Sequence, residues 1–300
     1  MKIEQLIHKI SEKNPMHGNK VQRNYDLLKD KETFLADFDH FMAKYEQILE
    51  KKQLTIDNAV DFYLKMIDDF AAEFFDFMRS GSYKNSSFEA VDKALYDNPS
   101  TMVSHMHGLL LSQFLWKHHY EVYEFFKANI TKYQPIHSYL EIGAGHGLYL
   151  EAAIQQLGAD TNFEALDISA TSIELTQSLV KNKDIVYHHQ DIFDLNNAEP
   201  KDFITMGEVL EHVENPLALL QKLKSMLQTN GTIFITTPTN APSIDHIYLF
   251  RNVGEIRSLI NEAGLEIAEE KYFVSEEMDL ERAEKMKIAV LYAAFLKIKN

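Results

Sequence analysis

The sequence contains an apolar and glycine-rich segment, Tyr139-Leu140-Glu141-Ile142-Gly143-Ala144-Gly145-His146-Gly147. It begins as a short apolar run, typical of a buried strand, and then changes to alternating glycines. Glycine has no Cβ, so Gly143, Gly145 and Gly147 let the backbone turn sharply and approach a ligand closely. A helix that follows such a turn presents free N–H groups. The pattern predicts a ligand site beyond the carboxyl ends of the strands in an open α/β sheet.

Strand-like and helical segments alternate along the C-terminal part of the chain. The predicted strands are Ser138–Ile142, Phe163–Leu166, Ile185–His188, Phe203–Met206, Thr232–Thr236, Glu266–Phe273 and Lys287–Lys297. Helical patterns separate the first six, and this alternation indicates a parallel sheet with helices on both faces. The last two runs have no strong helix between them, so we expect the last strand to pair antiparallel. Residues 135–300 are therefore predicted to form an α/β domain with a Rossmann-like, doubly wound, seven-stranded sheet.

The N-terminal part has a helical pattern throughout. Phe34, Phe38 and Phe41 recur at three- and four-residue steps, as one apolar helix face requires. A helix-start signal at Asn98-Pro99-Ser100 precedes the last of three apolar stretches in this part, which runs from residue 102 to residue 126. We predict an all-helical domain over residues 1–134, which closes the cleft of the sheet domain as a lid and binds a substrate.

Composition and charge exclude several classes of protein. The 300 residues are 45% hydrophobic and 25% charged, include no cysteine and carry a formal net charge of −15. Residues 1–137 have a net charge of −3 and the remainder −12, so a nucleic-acid groove on the α/β part is not expected. The charged N-terminus differs from a signal peptide, and the apolar run from residue 288 to 296 is too short to cross a bilayer. We predict a cytoplasmic protein that binds neither nucleic acid nor membrane.

Three consecutive predicted strands each deliver an acid to the same edge of the sheet. These acids are Glu141, Asp167 and Asp191. The glycine spacing G-x-G-x-G also differs from the dinucleotide fingerprint G-x-G-x-x-G, although a dinucleotide stays an alternative. Three carboxylates would repel a pyrophosphate but tolerate a cationic ligand with a ribose and a base. S-adenosylmethionine (SAM) has this chemistry, because it combines a sulfonium, an α-amino group and an adenosine.

Residues 138–275 resemble the class I SAM-dependent methyltransferases, whose signature E-x-G-x-G-x-G begins here at Glu141. The resemblance implies that the glycines line the methionine and ribose part, that Asp167 binds both ribose hydroxyls and that Asp191 binds the adenine amino group. Ile168 and Ile192 would pack on the base. The implied cofactor-binding residues are Glu141, Gly143, Gly145, Gly147, Asp167, Ile168, Asp191, Ile192, Gly207 and Glu208.

The fourth strand ends in Gly207-Glu208-Val209-Leu210-Glu211-His212-Val213, which is similar to ubiquinone-biosynthesis-type O-methyltransferases. The spacing predicts that Glu208, Glu211 and His212 share one face of a helix start. His212 could act as a general base. The three residues could instead hold a divalent metal, as is the case in some such relatives, and lower the pKa of a substrate hydroxyl. In the third interpretation the carboxylates stabilise the helix dipole and His212 is structural.

His246 follows a loop that contains two prolines and should lie over the cleft. It resembles a histidine that many relatives carry ahead of the next helix. His246 has three interpretations: it acts as a second base, it binds a metal, or it anchors the loop as a hydrogen-bond donor. With His212 and Glu208, it completes the set of candidate catalytic residues.

The third apolar stretch of the helical part concentrates histidines around the only tryptophan of the chain. On a continuous helix, Trp116, His119 and Tyr120 share a side, whereas His105 and His107 point apart. The candidate substrate-binding residues are His105, Trp116, His119 and Tyr120. The plainer alternative is a helix packed on the sheet, with its histidines satisfied by hydrogen bonds.

These patterns lead to one main function and two alternatives. The main hypothesis is SAM-dependent methylation of a small-molecule acceptor at oxygen. A second hypothesis is C-methylation of a keto acid, assisted by a metal bound to the residues His105, His118, His119, His212, His246 and Glu208. A third is a binding or scaffolding protein with a vestigial cleft. The sequence does not determine the oligomeric state, and a homodimer stays one of the alternatives.

Overall fold

The structure is a computed structural model that describes residues 1–96, 98–181, 184–195 and 199–299. Ahead of residue 138 the described chain is helical, as predicted. The helices are α1 (Ile3–Lys13), α2 (Pro15–Leu28), α3 (Glu32–Lys51), α4 (Ile56–Ser80), α5 (Phe88–Val91), α6 (Pro99–Leu115) and α7 (Lys117–Asn129). A π-helical turn follows α5 at Asp92–Tyr96, and a 3-10 turn, Ile130–Tyr133, follows α7.

Local sequence signals set the ends of α4. The Thr55 hydroxyl accepts a hydrogen bond from the Asn58 amide, and the Asn58 side chain accepts one from the Thr55 amide, so a reciprocal capping pair opens the helix. Gly81 closes it in the left-handed conformation, with φ +75°. The apolar face of α4 then packs against α6 through buried residues such as Val60 and Met66.

The predicted third helical stretch is divided at Trp116. This residue is extended (φ −111°, ψ 122°) between α6 and α7, and its indole N–H donates to the Tyr63 hydroxyl at 2.8 Å. No glycine or proline marks the break, so the hydrophobic pattern could not show it. Trp116 and His119 still lie together, with ring centroids 4.7 Å apart, but Tyr120 does not join them and its hydroxyl bonds to Asp37 instead.

The C-terminal part contains a seven-stranded sheet within the described residues. Its strands are β1 (Ser138–Ile142), β2 (Asn162–Asp167), β3 (Ile185–His189), β4 (Lys201–Gly207), β5 (Leu227–Thr239), β6 (Leu265–Val274) and β7 (Val290–Ile298). Their order is β3-β2-β1-β4-β5-β7-β6. All neighbours are parallel except β7, which is antiparallel to β5 and β6. The predicted fold class and the antiparallel last strand are confirmed.

Helices connect these strands across both faces of the sheet. They are α8 (Leu148–Leu157), α9 (Ala170–Leu179), α10 (Pro216–Ser225), α11 (Val253–Glu262) and α12 (Leu280–Lys285). The strand order reverses between β1 and β4, because the chain runs outward from β1 to β3 and then returns to β4. A crevice opens at such a reversal, beyond the carboxyl ends of the strands. The glycine-rich turn after β1 and Gly207 at the end of β4 lie at this crevice.

Successive residues of the central strands enter different cores. In β1, Tyr139 packs in the core that includes the N-terminal helices, whereas Leu140 packs in the core on the opposite face. Phe126 of α7 lies edge-on to Tyr149, with ring centroids 5.1 Å apart, and 4.9 Å from Phe234 of β5. A single hydrophobic core therefore crosses the predicted domain boundary between residues 134 and 135.

The described residues contain no helix with the length and apolar character that a bilayer span requires.

Replacing Phe126 with alanine tests this shared core. Phe126 is fully buried where α7 meets the sheet, so F126A should lower the free energy of unfolding by about 3–5 kcal/mol. Urea denaturation measures the change. F75A removes the same ring from an exposed position of α4 (72% exposed) and should change the free energy by less than about 0.5 kcal/mol. Equal effects of the two substitutions would contradict the packing described.

Candidate active site

Hydrogen bonds tie the glycine-rich turn to the end of β2. The Gly143 amide donates to the Leu166 carbonyl at 2.8 Å, and the Gly145 amide donates to Asp167 Oδ2 at 2.8 Å. The other carboxylate oxygen of Asp167 accepts from the Ser169 amide, also at 2.8 Å. Asp167 therefore holds two loops in place while its carboxylate stays at the crevice wall.

The three glycines of the turn have positive φ but different surroundings. Gly143 and Gly145 line the crevice. Gly147 lies behind it: a Cβ there would be 2.9 Å from Thr176 Cγ2 and 3.1 Å from Thr176 Cα. Glycine is therefore needed at position 147 because α8 packs closely on α9. The resemblance implies that Gly147 lines the ligand, but the structure does not place it there.

A cavity of about 840 Å³ extends from the glycine-rich turn to the underside of the N-terminal helices. On the sheet side its lining includes Glu141, Gly143, Gly145, Asp167, Ile168, Asp191, Ile192, Gly207 and Glu208. On the helical side the lining includes Ile67, Phe70, Phe74, Met102, His105, Met106, Leu109 and Trp116. The structure therefore brings together the sequence-predicted cofactor residues other than Gly147, and it roofs them with apolar side chains.

Two acids of the cavity wall, Glu141 and Asp167, are buried. Burial raises the pKa of Asp167 to about 6, although the amides that it accepts from oppose the shift. Burial also raises the pKa of Glu141 well above its usual range, and the Tyr139 hydroxyl donates to this carboxyl group at 3.2 Å. The Asp191 side chain, which is partly exposed, accepts from the Phe193 amide at 2.8 Å. A cation placed beside Glu141 and Asp167 would favour the ionised form of these two carboxyl groups.

Glu208 does not share a helix face with Glu211 and His212, so that prediction is wrong. Its backbone has φ +53°, and only a 3-10 turn, Leu210–His212, follows. The Thr236 hydroxyl donates to Glu208 Oε1 at 2.7 Å, and burial raises the pKa of Glu208 to about 8. The strand end directs this carboxyl group toward β5 rather than along a helix.

A polar cluster, formed by His105, Glu211, His212, Asp245 and His246, lies at one side of the cavity. Glu211 is fully buried; its Oε2 accepts from the Thr237 hydroxyl at 2.8 Å. Its Oε1 lies 3.7 Å from His212 Nε2 and 4.0 Å from His246 Nε2, and it has no hydrogen-bond partner among the described residues. The two imidazole rings are perpendicular, with centroids 4.9 Å apart. The sequence predicted that Glu208 lies beside Glu211 and His212. In the structure, His246 lies there instead.

Asp245 links the helical part of the chain to the sheet. Its Oδ2 lies 3.4 Å from His105 Nε2 and 3.5 Å from His212 Nδ1, and the Ser243 hydroxyl donates to its other oxygen. Although burial opposes ionisation, His212 and His105 hold the pKa of Asp245 well below its usual range. The sequence analysis missed Asp245; its place directly before His246 in the proline-containing loop was the available signal.

Tyr96 is a second residue that the sequence analysis missed. It ends the π-helical turn, and its hydroxyl lies 3.3 Å from His212 Nδ1. π-Helical turns occur frequently at functional sites. No periodicity in the sequence distinguishes Tyr96 from a core aromatic residue.

The predicted substrate residues divide into two groups. His105, Trp116 and His119 line the cavity. Tyr120 does not: it is buried in the helical core, where its hydroxyl donates to Asp37 at 3.0 Å. The break at Trp116 is the physical reason for this error, since it rotates α7 relative to α6. His107 points away from His105 and bonds to the Tyr45 hydroxyl at 2.7 Å.

Other aromatic residues of the helical part also depart from their expected places. His118 stacks on Trp116 and packs against His119, away from the polar cluster, so the predicted five-histidine metal site is not assembled. Phe70 and Phe74 of α4 line the cavity, and Phe70 also packs against the core.

Comparison with known proteins identifies a related family. The family model described as "Methyltransferase domain" matches residues 88–272. The chain is 33% identical over 108 residues to the ubiquinone biosynthesis O-methyltransferase of Xanthomonas campestris pv. campestris, an alignment covering 35% of this chain and 44% of that protein. It is 31% identical over 106 residues to the enzyme of the same name from Haemophilus ducreyi, covering 33% and 44%. The matches thus span less than half the length of these curated relatives.

Solved structures share the fold at low sequence identity. The mitomycin 7-O-methyltransferase MmcR has a TM-score of 0.55 at 9% identity, covering 81% of this chain and 71% of that chain. The plantazolicin methyltransferase BpumL in complex with SAH has a TM-score of 0.51 at 17% identity, covering 71% and 95%.

Substitution of Gly147 tests the geometry of the turn. Gly147 (φ 79°, ψ 9°) and Gly81 (φ 75°, ψ 11°) are both left-handed, so alanine at either position should cost about 1–2 kcal/mol. G147A also places a Cβ against the backbone of Thr176, which should add about 1–3 kcal/mol. Urea unfolding of the two variants measures the difference. A G147A variant no less stable than G81A would contradict the packing of α8 on α9.

Proposed function

We propose that this chain, which belongs to the methyltransferase-domain family, transfers the methyl group of SAM to an oxygen of a small-molecule acceptor. One observation carries the proposal: a single cavity joins the acidic crevice at the strand ends to an apolar chamber under the helices. A nucleoside cofactor and an acceptor can therefore lie end to end beneath the N-terminal helices. Exclusion of water matters because the methyl group must reach the acceptor rather than a water molecule.

The sheet side of the cavity suits SAM. Asp167 is placed to accept hydrogen bonds from the ribose hydroxyls, and Asp191 from the adenine amino group, with Ile168 and Ile192 packing on the base. Glu141 and the Glu208 carboxyl group, both within the same wall, favour the cationic sulfonium and α-amino groups. A pyrophosphate has no basic partner among these wall residues.

The helical side of the cavity suits an acceptor with a flat, apolar body. Phe70, Phe74 and Trp116 offer ring surfaces, and Met102 and Leu109 fill the space between them. Pockets of this kind bury most of a small ligand, and a few polar groups orient it. The net charge of −12 on the sheet part supports a small molecule rather than a nucleic acid as the acceptor.

The reaction needs positioning more than covalent participation by the protein. The acceptor oxygen attacks the methyl carbon in line with the sulfonium; the new O–C bond forms as the S–C bond breaks, and S-adenosylhomocysteine leaves. The acceptor's hydroxyl proton must also be lost. The polar cluster borders the cavity through His105, His212 and His246, and His212 accepts this proton as the general base.

The pH dependence of SAM binding tests the role of Asp167. Its pKa of about 6 lies above the ordinary value, so the carboxyl group is mostly ionised at pH 7, half ionised near pH 6 and mostly protonated at pH 5. We expect the dissociation constant for SAM, measured by calorimetry, to rise about tenfold between pH 7 and pH 5. D167N should bind SAM weakly and lack this pH dependence, whereas D76N, at the surface, should behave as wild type.

The same titration separates the proposal from its alternatives. Tight binding of NAD without binding of SAM would overturn it in favour of a dinucleotide enzyme. Binding of SAM with no methylated product from any metabolite extract would instead support the scaffolding hypothesis.

Substitution of Asp245 tests the polar cluster. D245N keeps the shape of the side chain but removes the charge that faces His105 and His212, so methyl transfer should slow by about a hundredfold or more. Release of S-adenosylhomocysteine, followed by mass spectrometry with a metabolite extract as acceptor source, measures the rate. The affinity for SAM should stay within about twofold of wild type, and a parallel loss of SAM affinity would show that Asp245 acts on the fold instead. The position of the methyl group in the product distinguishes O- from C-methylation.

A further inference from the structure

We infer that the acceptor carries a carboxylate, which binds Lys20 at the end of the cavity opposite Asp167. The inference deepens the proposed function, because it names the chemical class of the acceptor, and it rests on that function for the methyl transfer itself. The binding of the acid follows from the charges and positions of the lining residues, and it can be measured without any reaction.

Lys20 supplies the permanent positive charge of the cavity. It is the one lysine or arginine among the described residues of the lining, which also holds several carboxyl groups. Two histidines lie near it and are uncharged at neutral pH. Burial and the Lys20 charge lower the pKa of His17 to about 4, and burial lowers the pKa of His118 well below its usual range. A negatively charged acceptor is therefore attracted to Lys20 and repelled by the ionised acids of the wall.

Lys20 and Asp167 lie at opposite ends of the same sheet edge. The Lys20 ammonium group is 2.7 Å from Glu276 Oε1, and Glu276 follows the last residue of β6 by two positions. Because β5 and β6 are both antiparallel to β7, β6 ends at the same edge as the parallel strands. Asp167 ends β2, and the order β2-β1-β4-β5-β7-β6 puts five strand spacings between the two sites. At about 4.8 Å per spacing, roughly 24 Å separates them.

The polar cluster lies between these two ends of the cavity. His212 belongs to the turn after β4, and His246 belongs to the loop after β5. In the order β4-β5-β7-β6, these strands are three and two spacings from β6. The cluster is therefore roughly 10–14 Å from the Lys20 end, and we expect this separation between the methylated oxygen and the carboxylate of the acceptor.

Aromatic rings connect the polar cluster to the Lys20 end. The Phe70 ring centroid lies 6.3 Å from that of His105 and 6.0 Å from that of Trp116. Trp116 in turn stacks on His118, with centroids 5.6 Å apart. All of these side chains line the cavity, so a flat acceptor can extend along them from the cluster to Lys20.

A hydrogen-bond relay makes His17 a second donor beside Lys20. The Trp116 indole N–H donates to the Tyr63 hydroxyl, which lies 2.8 Å from His17 Nε2. Tyr63 is fully buried, so His17 Nε2 is the acceptor that satisfies its hydroxyl hydrogen. The neutral His17 ring then carries its own hydrogen on Nδ1. His17 and Lys20 are three residues apart on the face of α2 that borders the cavity, so one carboxylate can accept from both.

The ion pair between Lys20 and Glu276 leaves the ammonium group available to an acceptor. The two side chains are 53% and 45% exposed, and an ion pair this accessible to water contributes little free energy. An acceptor carboxylate therefore competes with Glu276 for the same donor. A phosphate fits less well, because its second charge would face Glu276 with a single cation between them.

Binding of matched acids and amides to the full-length chain tests the inference. The probes are para-hydroxybenzoic acid, para-hydroxycinnamic acid and para,para′-hydroxybiphenylcarboxylic acid, each compared with its primary amide, which keeps the shape without the charge. Trp116 is the only tryptophan of the chain and lines the cavity, so its fluorescence reports binding. The acids should bind about tenfold or more tightly than their amides, and the preference should be largest for the longest probe.

The two members of the ion pair should have opposite effects when they are substituted. K20M should abolish the preference for the acids, and K20R should keep most of it. E276Q should bind the acids about threefold more tightly than wild type, because it frees the ammonium group. K29M and D26N break a separate exposed ion pair at the end of α2 and should behave as wild type. Circular dichroism checks the folding of each variant.

Several results would overturn the inference. These are equal binding of acid and amide in every pair, binding of none of the acids, a preference that survives in K20M, and equal losses in K20M and E276Q. Tighter binding of phenyl phosphate than of the acids would replace the carboxylate with a phosphate ester. Titrations with and without S-adenosylhomocysteine separate the two proposals. Binding of S-adenosylhomocysteine without a preference for acids rejects this inference alone, whereas the reverse result rejects the proposed function alone.

Discussion

The packing of α7 on the sheet joins the helical part of the chain to the sheet. Phe126 packs against the aromatic side chains of Tyr149 and Phe234, and the core that it joins runs from the N-terminal helices to β5. This contact fixes the helical part over the point where the strand order reverses. Without it the crevice would be an open groove, and the apolar side chains of α4 and α6 would have no fixed position above the glycine-rich turn.

Given that contact, the chemistry of the site arises from residues far apart in the chain. His105 comes from a helix, Glu211 and His212 from the turn after β4, and Asp245 and His246 from the loop after β5. Buried charges of this kind are costly unless they are paired or neutralised. Within the cluster Asp245 faces His105 and His212, whereas Glu211 Oε1 has no hydrogen-bond partner among the described residues.

Features with a local sequence signature were predicted well. The glycine-rich turn, the seven strands and the acids at their ends each follow from patterns within a few residues, and the family resemblance is confirmed. Features that depend on tertiary contacts were not. The extended residue Trp116 donates its indole N–H to Tyr63 of the distant helix α4, and the Glu208 amide, at positive φ, donates to Thr236 of β5. The contact of Asp245 with His105 joins segments that no local pattern connects.

We propose that the crevice between β1 and β4 holds a nucleoside sulfonium with its methyl group directed at the polar cluster. A crystal structure of the protein with S-adenosylhomocysteine is the decisive measurement. It should show ribose hydroxyls within hydrogen-bond distance of Asp167 and a sulfur atom that faces the space bordered by His105 and His212. An adenosine bound elsewhere, or a crevice that accepts only a phosphorylated nucleotide, would rule this arrangement out.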